Sequence, residues 1–142
     1  MIPGINLKVV SEPDDYGLYK YEVTLSNGKT VWSLTFNEYA DCFKEFGQKL
    51  GQFPKTSKDI VTYELLEEDK KYAYYMLLRV FCYEQNGQSA IRVITDNHSA
   101  EPDYQRCEFF IRSIPASINR LGQGLAKWNP KETKDFSWNA DS

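Results

Sequence analysis

The sequence predicts an α+β fold: a mainly antiparallel sheet with two helices on one face, built from two strand-rich units that are each closed by a helix. Three observations lead there. Apolar and polar residues alternate with a period of two through the first third of the chain. Two Asn-Gly pairs, Asn27-Gly28 and Asn86-Gly87, stand between alternating segments. Finally, CFKEFGQKLGQF at residues 42–53 is matched by SINRLGQGLAKW at residues 117–128, at a constant shift of 75 residues.

The alternation is clearest where Ile5, Leu7 and Val9 are interleaved with Asn6 and Lys8, and Tyr19, Tyr21, Val23 and Leu25 with Lys20, Glu22 and Thr24. Such segments are half-buried strands with one wet face. Asn27-Gly28 supplies the two positive-φ residues of a type I′ turn, and the returning strand sets Trp32, Leu34 and Phe36 on one face. Asn37 is then expected to cap a helix, its side-chain oxygen taking an orphan N–H of the first turn. Tyr39, Phe43, Phe46, Leu50 and Phe53 form the apolar stripe of that helix, and Pro54 ends it.

The second half repeats the plan. Strands are expected over 60–66 and 72–83, joined by the acidic turn Glu67-Glu68-Asp69-Lys70-Lys71. Asn86-Gly87 turns the chain into a strand over 90–95; after the loop DNHSAEPD, a strand over 104–112 sets Cys107, Phe109 and Ile111 on one face. Pro115 suits the first turn of a closing helix, where its missing N–H costs nothing. The stripe of this helix, Ile114, Ile118, Leu121, Leu125 and Trp128, is the first stripe moved by 75 residues. Gly47 and Gly122 are matched as well. A glycine inside a helix costs about 1 kcal/mol relative to alanine, so the pair points to a close backbone approach to the sheet or to the partner helix. Past Trp128, Asn129-Pro130 breaks the helix, and 129–142 is a polar C-terminal tail in which Phe136 and Trp138 alternate as in a short edge strand.

A chain of 142 residues is expected to form a single domain over 1–142. Its net charge of −3 lacks the electrostatic footprint of a nucleic-acid binder. No charged segment followed by a long apolar run opens the chain, and the apolar stretch 72–83 is interrupted by Arg79 and too short to span a bilayer. A cytoplasmic protein without membrane contact is expected. Cys42, Cys82 and Cys107 are odd in number and form no CxxC, so they read as buried reduced thiols within helices or strands.

Nothing in the sequence assembles a catalytic, cofactor or metal set. His98 is the only histidine, which excludes His pairs within one chain. Asp96, His98 and Ser99 are too close in sequence to adopt triad geometry easily, and a solvated loop histidine is expected. The glycines of LGQGLAKW miss both the dinucleotide and the phosphate-loop spacings. What remains is charge. Glu12, Asp14 and Asp15 form one acidic cluster, Glu67, Glu68 and Asp69 a second, and Asp96, Glu101 and Asp103 a third. Brought to one end of a sheet they would suit a basic protein partner, and the first two clusters are the candidate partner-binding residues.

The phrases RVFCYEQNGQSAIRV (79–93) and SINRLGQGLAKW, with the strand-helix pair LTFNEYADCFKEF and FFIRSIPASINRL, resemble the small immunity proteins of bacterial polymorphic toxin systems, nearest to those neutralising wall-associated toxins of the WapA type. The resemblance spans about residues 18–128 and rests on element order. It implies a non-enzymatic protein that binds and blocks a toxin domain, and it carries over no functional residue. Two other classes fit the same composition: a secretion chaperone or adaptor, and a small-ligand-binding domain with a pocket between sheet and helices.

Overall fold

The computed structural model describes residues 2–69 and 71–141, so Lys70 of the expected acidic turn lies outside the described residues. The alternating segments pair into antiparallel meanders. The first is β1 (Gly4–Ser11), β2 (Tyr19–Ser26) and β3 (Val31–Glu38), followed by α1 (Lys44–Leu50) and β4 (Ile60–Leu65). The second is β5 (Tyr75–Cys82), β6 (Ser89–Asp96) and β7 (Arg106–Ser113), followed by α2 (Pro115–Lys127) and β8 (Asp135–Asn139).

The fold is α+β, with two strand-rich units each closed by a helix. Its strands divide between two four-stranded antiparallel sheets, in the orders β3-β2-β1-β8 and β4-β5-β6-β7. The division follows from what each helix does to the strand after it. Leaving α1, β4 pairs with β5, the first strand of the second meander; leaving α2, β8 pairs with β1, the first strand of the first. Each unit therefore lends its last strand to the other's sheet. The internal match extends past the helices, because β3 becomes β7 and the start of β4 becomes the start of β8 on adding the same 75 residues. Through this exchange the segment after Trp128 becomes an edge strand: Trp138 is buried and its Nε1–H donates to the Ser117 carbonyl at 2.9 Å.

The matched glycines meet each other. A Cβ on Gly47 would stand 2.7 Å from the Gly122 carbonyl oxygen, and one on Gly122 would stand 2.6 Å from that of Gly47. Contacts this short are ones real Cβ atoms essentially never make, so the helix pair requires glycine at both positions. Phe43, Phe46, Leu50 and Phe53 are buried, as are Ile118, Leu121 and Leu125. Phe43 ties the two sheets together: its ring lies 6.1 Å from those of Tyr21 and Phe36 in the first and 4.9 Å from that of Tyr63 in the second.

Several local expectations are corrected. Asn37 does not cap α1. It is paired with Lys20 in β3, because the β2–β3 ladder runs on to Tyr19 and Glu38 and takes the expected cap and the residue after it. The helix starts later, at Lys44, with no side-chain cap bond. Tyr39 and Ile114, the matched first residues of the two stripes, are both exposed. At the other end of α1, Asn119 of α2 donates its Nδ2 to Leu50 O at 2.9 Å and, just past the helix, to Phe53 O at 2.7 Å. Neither Asn-Gly pair makes a type I′ turn: Gly28 (φ 92) and Gly87 (φ 93) are left-handed, but the asparagines are not. Longer loops leave Asn27 Oδ1 to accept from Lys29 N and Thr30 N, and Asn86 Oδ1 from Gln88 N. The cysteines are unpaired but half-buried, and Cys42 lies in the turn before α1. Burial, with the Glu38 charge beside it, pushes the Cys42 thiol up to about 12.

Candidate recognition surface

Strand parity and register together create a surface that neither creates alone. In β5, β6 and β7 the residues at alternate positions to the core point to the opposite face of the sheet. Register then places Ile60, Phe81, Ala90 and Arg112 in one row across β4 to β7, and Thr62, Arg79, Arg92 and Phe110 in the next. Below these run Glu64, Leu77, Ile94 and Glu108, and then Tyr75, Asp96 and Arg106. Four of the chain's five arginines stand on this one face.

The face has two halves. In the upper half Phe110 is 47% exposed and Ile60 58% exposed, although both belong to strands whose other side is core. The Phe81 and Phe110 rings meet edge-on at 6.1 Å from opposite sides of β6. Ala90, the small residue between Phe81 and Arg112 in its row, leaves room for that contact. The Arg79 guanidinium lies 5.8 Å from the Phe81 ring and the Arg112 guanidinium 5.6 Å from that of Tyr83. Arg92 is held by Glu108 at 2.8 Å, whereas Arg79 Nε is buried without a hydrogen-bond partner among the described residues.

The lower half is a closed polar network. Asp96 is 4% exposed, and it accepts from His98 N at 2.8 Å, Tyr104 Oη at 3.2 Å and Arg106 at 3.3 Å. Burial works against its ionisation, but the His98 N–H and the Arg106 guanidinium outweigh burial and hold the carboxyl below its ordinary value. His98 is not a solvated loop histidine. Its side chain is 1% exposed, its Nδ1 lies 2.8 Å from the Tyr72 carbonyl, and its φ of 50° carries the chain through a left-handed residue. Ser99 Oγ donates to the Asn97 carbonyl at 3.5 Å, so the Asp-His-Ser neighbours form no proton relay here. This network ties the 97–105 loop and Arg106 to Tyr72 and Glu68 of the β4–β5 connection.

The six candidate partner-binding carboxylates are all exposed. Glu12, Asp14 and Asp15 occupy the β1–β2 loop, and Glu67, Glu68 and Asp69 the β4–β5 loop. Part of their charge is spent locally. Asp14 Oδ1 accepts from Tyr16 N and Leu18 N, Asp69 Oδ1 accepts from Lys71 N, and Glu68 lies 3.8 Å from Arg106. Asp96 leaves the third cluster for the buried network just described. No grouping of metal-ligating side chains occurs among the described residues, and no helix is long and apolar enough to cross a membrane.

Sequence reasoning missed the arginine-bearing face. Its signal was present: within YMLLRVFC, Arg79 and Phe81 share a parity, and within RCEFFIRS, Phe110 and Arg112 do. Only register brings the two pairs onto one patch.

No protein family and no curated protein matches the sequence. A solved structure titled "Structure of the plant transcriptional regulator PBF-2" is similar with a TM-score of 0.46 and 10% identity, over 85% of this chain and 70% of that one. That likeness is too low to transfer fold or function.

Proposed function

We propose that the chain is a non-enzymatic binding protein that engages its partner through the upper half of the second sheet's open face. The observation that carries this reading is the exposure of Phe110 beside Arg112, Arg79 and Phe81 on a face that the core does not use. Exposed aromatic rings and arginines on one patch are the residue types that dominate binding energy at recognition surfaces. The surface depressions have volumes of about 280–440 Å³: one lies between the start of α1 and the end of α2, one between α1 and β4, and three at loops and sheet rims. The space among the helices and inner sheet faces is filled by one apolar cluster, which does not favour a ligand pocket there.

A second reading keeps the inhibitor role that the immunity-protein resemblance implies, with Glu12, Asp14, Asp15, Glu67, Glu68 and Asp69 meeting a basic toxin domain. Their exposure in two loops favours it. One experiment separates the two readings. The complex captured by the wild-type chain from its native cells is compared with those captured by a Phe110→Ala/Arg112→Gln variant and by a Glu67→Lys/Glu68→Lys/Asp69→Lys variant. The first reading expects loss of the partner in the sheet variant alone. Loss confined to the loop variant would transfer the function to the acidic loops.

A further inference from the structure

We propose that the partner on the open face of the second sheet is a single-stranded nucleic acid, whose bases stack on Phe81 and Phe110 and whose phosphates meet Arg79 and Arg112. This rests on the binding-protein reading above and names the chemistry of its partner. Three features of the surface carry it.

First, the two rings meet edge-on at 6.1 Å, and each has a guanidinium two residues away along its own strand. Arg79 precedes Phe81 on the same parity of β5, and Phe110 precedes Arg112 on the same parity of β7. A single strand presents the complementary alternation, a flat apolar base and then a phosphate, and every base has a face that can stack. Second, the patch continues at both ends into depressions that carry further cations. Beyond Phe81, Lys58 and Arg79 line one of about 290 Å³; beyond Phe110, Lys29 and Arg112 line one of about 440 Å³. Each also holds a carboxylate, Asp59 in the first and Asp141 in the second, which keeps the track moderately rather than strongly basic. Third, the patch is open, and the depressions at its two ends are lined by charged as well as apolar residues, which gives a protein partner no purely apolar socket there for an anchoring side chain. The net charge of −3 belongs to the whole chain, whereas counterion release depends on the cations that touch phosphates.

The test is fluorescence anisotropy of labelled oligo(dT) and oligo(U) 20-mers with the full chain, together with a duplex of equal length. Both single strands are expected to bind with a Kd of about 10 µM or tighter at low salt. Log affinity should fall with log salt by about 0.7 for each phosphate contact. Phe110→Ala should weaken binding about tenfold through lost stacking, and Phe110→Trp should restore it. Arg112→Gln should reduce the salt slope by about 0.7. A tenfold preference between the two strands assigns DNA or RNA as the source, and equal binding assigns the stacking and phosphate chemistry they share. Both variants sit at exposed positions, and an unchanged thermal midpoint confirms that they fold. Three results overturn the proposal: no binding of either strand below about 100 µM, binding that survives both Phe110→Ala and Arg112→Gln, or equal binding of the duplex. If the first is found while a captured protein complex still depends on Phe110 and Arg112, the face binds an acidic protein, and the binding-protein reading stands without the nucleic acid.

Discussion

The two sheets are built alike and present opposite outer faces. On the first, register sets Asn6, Thr24, Ser33 and Ser137 in one row and Lys8, Glu22, Thr35 and Asp135 in the next. Thr24 and Ser33 hydrogen-bond to each other at 3.1 Å, and no ring stands among these outward residues. On the second, the equivalent positions carry four arginines, two phenylalanines and a tyrosine. Both inner faces are aliphatic and aromatic core. Folding demands only the inner parity, so the outer parity is free to be either a solvated surface or a recognition surface. Apart from exposed Val10 and Val31, the polar and charged side chains of the first sheet are what solvation alone would select. Exposed Phe110 and Ile60 are not, because they leave apolar area in water for which the fold has no use.

The comparison assumes that both sheets hang on one helix pair, and the largest expected effect would break that scaffold. Gly122→Ala should destabilise the protein by about 3 kcal/mol, since the new methyl meets backbone atoms of α1 that cannot move aside cheaply. Urea denaturation would measure it, and an unchanged midpoint would mean that the helices are not in close contact.

Adjacent residues sharpen the contrast between faces. Phe109 is 8% exposed and Phe110 47% exposed. Phe109→Ala should cost about 3 kcal/mol, while Phe110→Ala should stay below about 1 kcal/mol. Equal losses would show that the outer ring is structural.

Next in size is Asp96, which no residue of the first sheet's outer face parallels. Its carboxyl is held below the ordinary value of 3.8, so the folded state binds this proton less readily than the unfolded one. The stabilisation is therefore complete above 3.8 and is lost as pH falls through the lower folded value. Asp96→Asn should cost about 2 kcal/mol near neutrality by weakening charge-assisted hydrogen bonds. It should also flatten the acid limb of a stability-against-pH curve measured by urea titration. An acid limb identical to the wild type's would place the titrating groups elsewhere.

The smallest effect belongs to the first sheet. Ser33→Ala removes one exposed hydroxyl contact and should change stability by less than about 0.5 kcal/mol. It should leave oligonucleotide affinity untouched. A change in affinity matching that of Phe110→Ala would erase the distinction between the faces.

Local periodicity by itself determined much of this protein. The inward sets Ile5-Leu7-Val9, Tyr21-Val23-Leu25 and Cys107-Phe109-Ile111, the middle of both helix stripes, and the paired glycines were all readable. Pleat and helix geometry act over two to four residues, so a side chain's face follows from its near neighbours. Helix ends were less readable: Asn37 and Glu38 fit a helix start locally and were taken instead by a ladder with β2, formed some eighteen residues away. Everything that depends on pairing between distant segments was decided by the tertiary structure. The exchange of β4 and β8 between sheets made two sheets from one repeated plan. The register of β5, β6 and β7 brought Arg79-Phe81 to Phe110-Arg112. Burial of Asp96 beside Arg106 turned a residue that looks like loop charge into a structural anion. These features share one physical cause: which strands meet, and in what register, depends on competition among all possible partners across the chain, and no window of neighbouring residues contains that information.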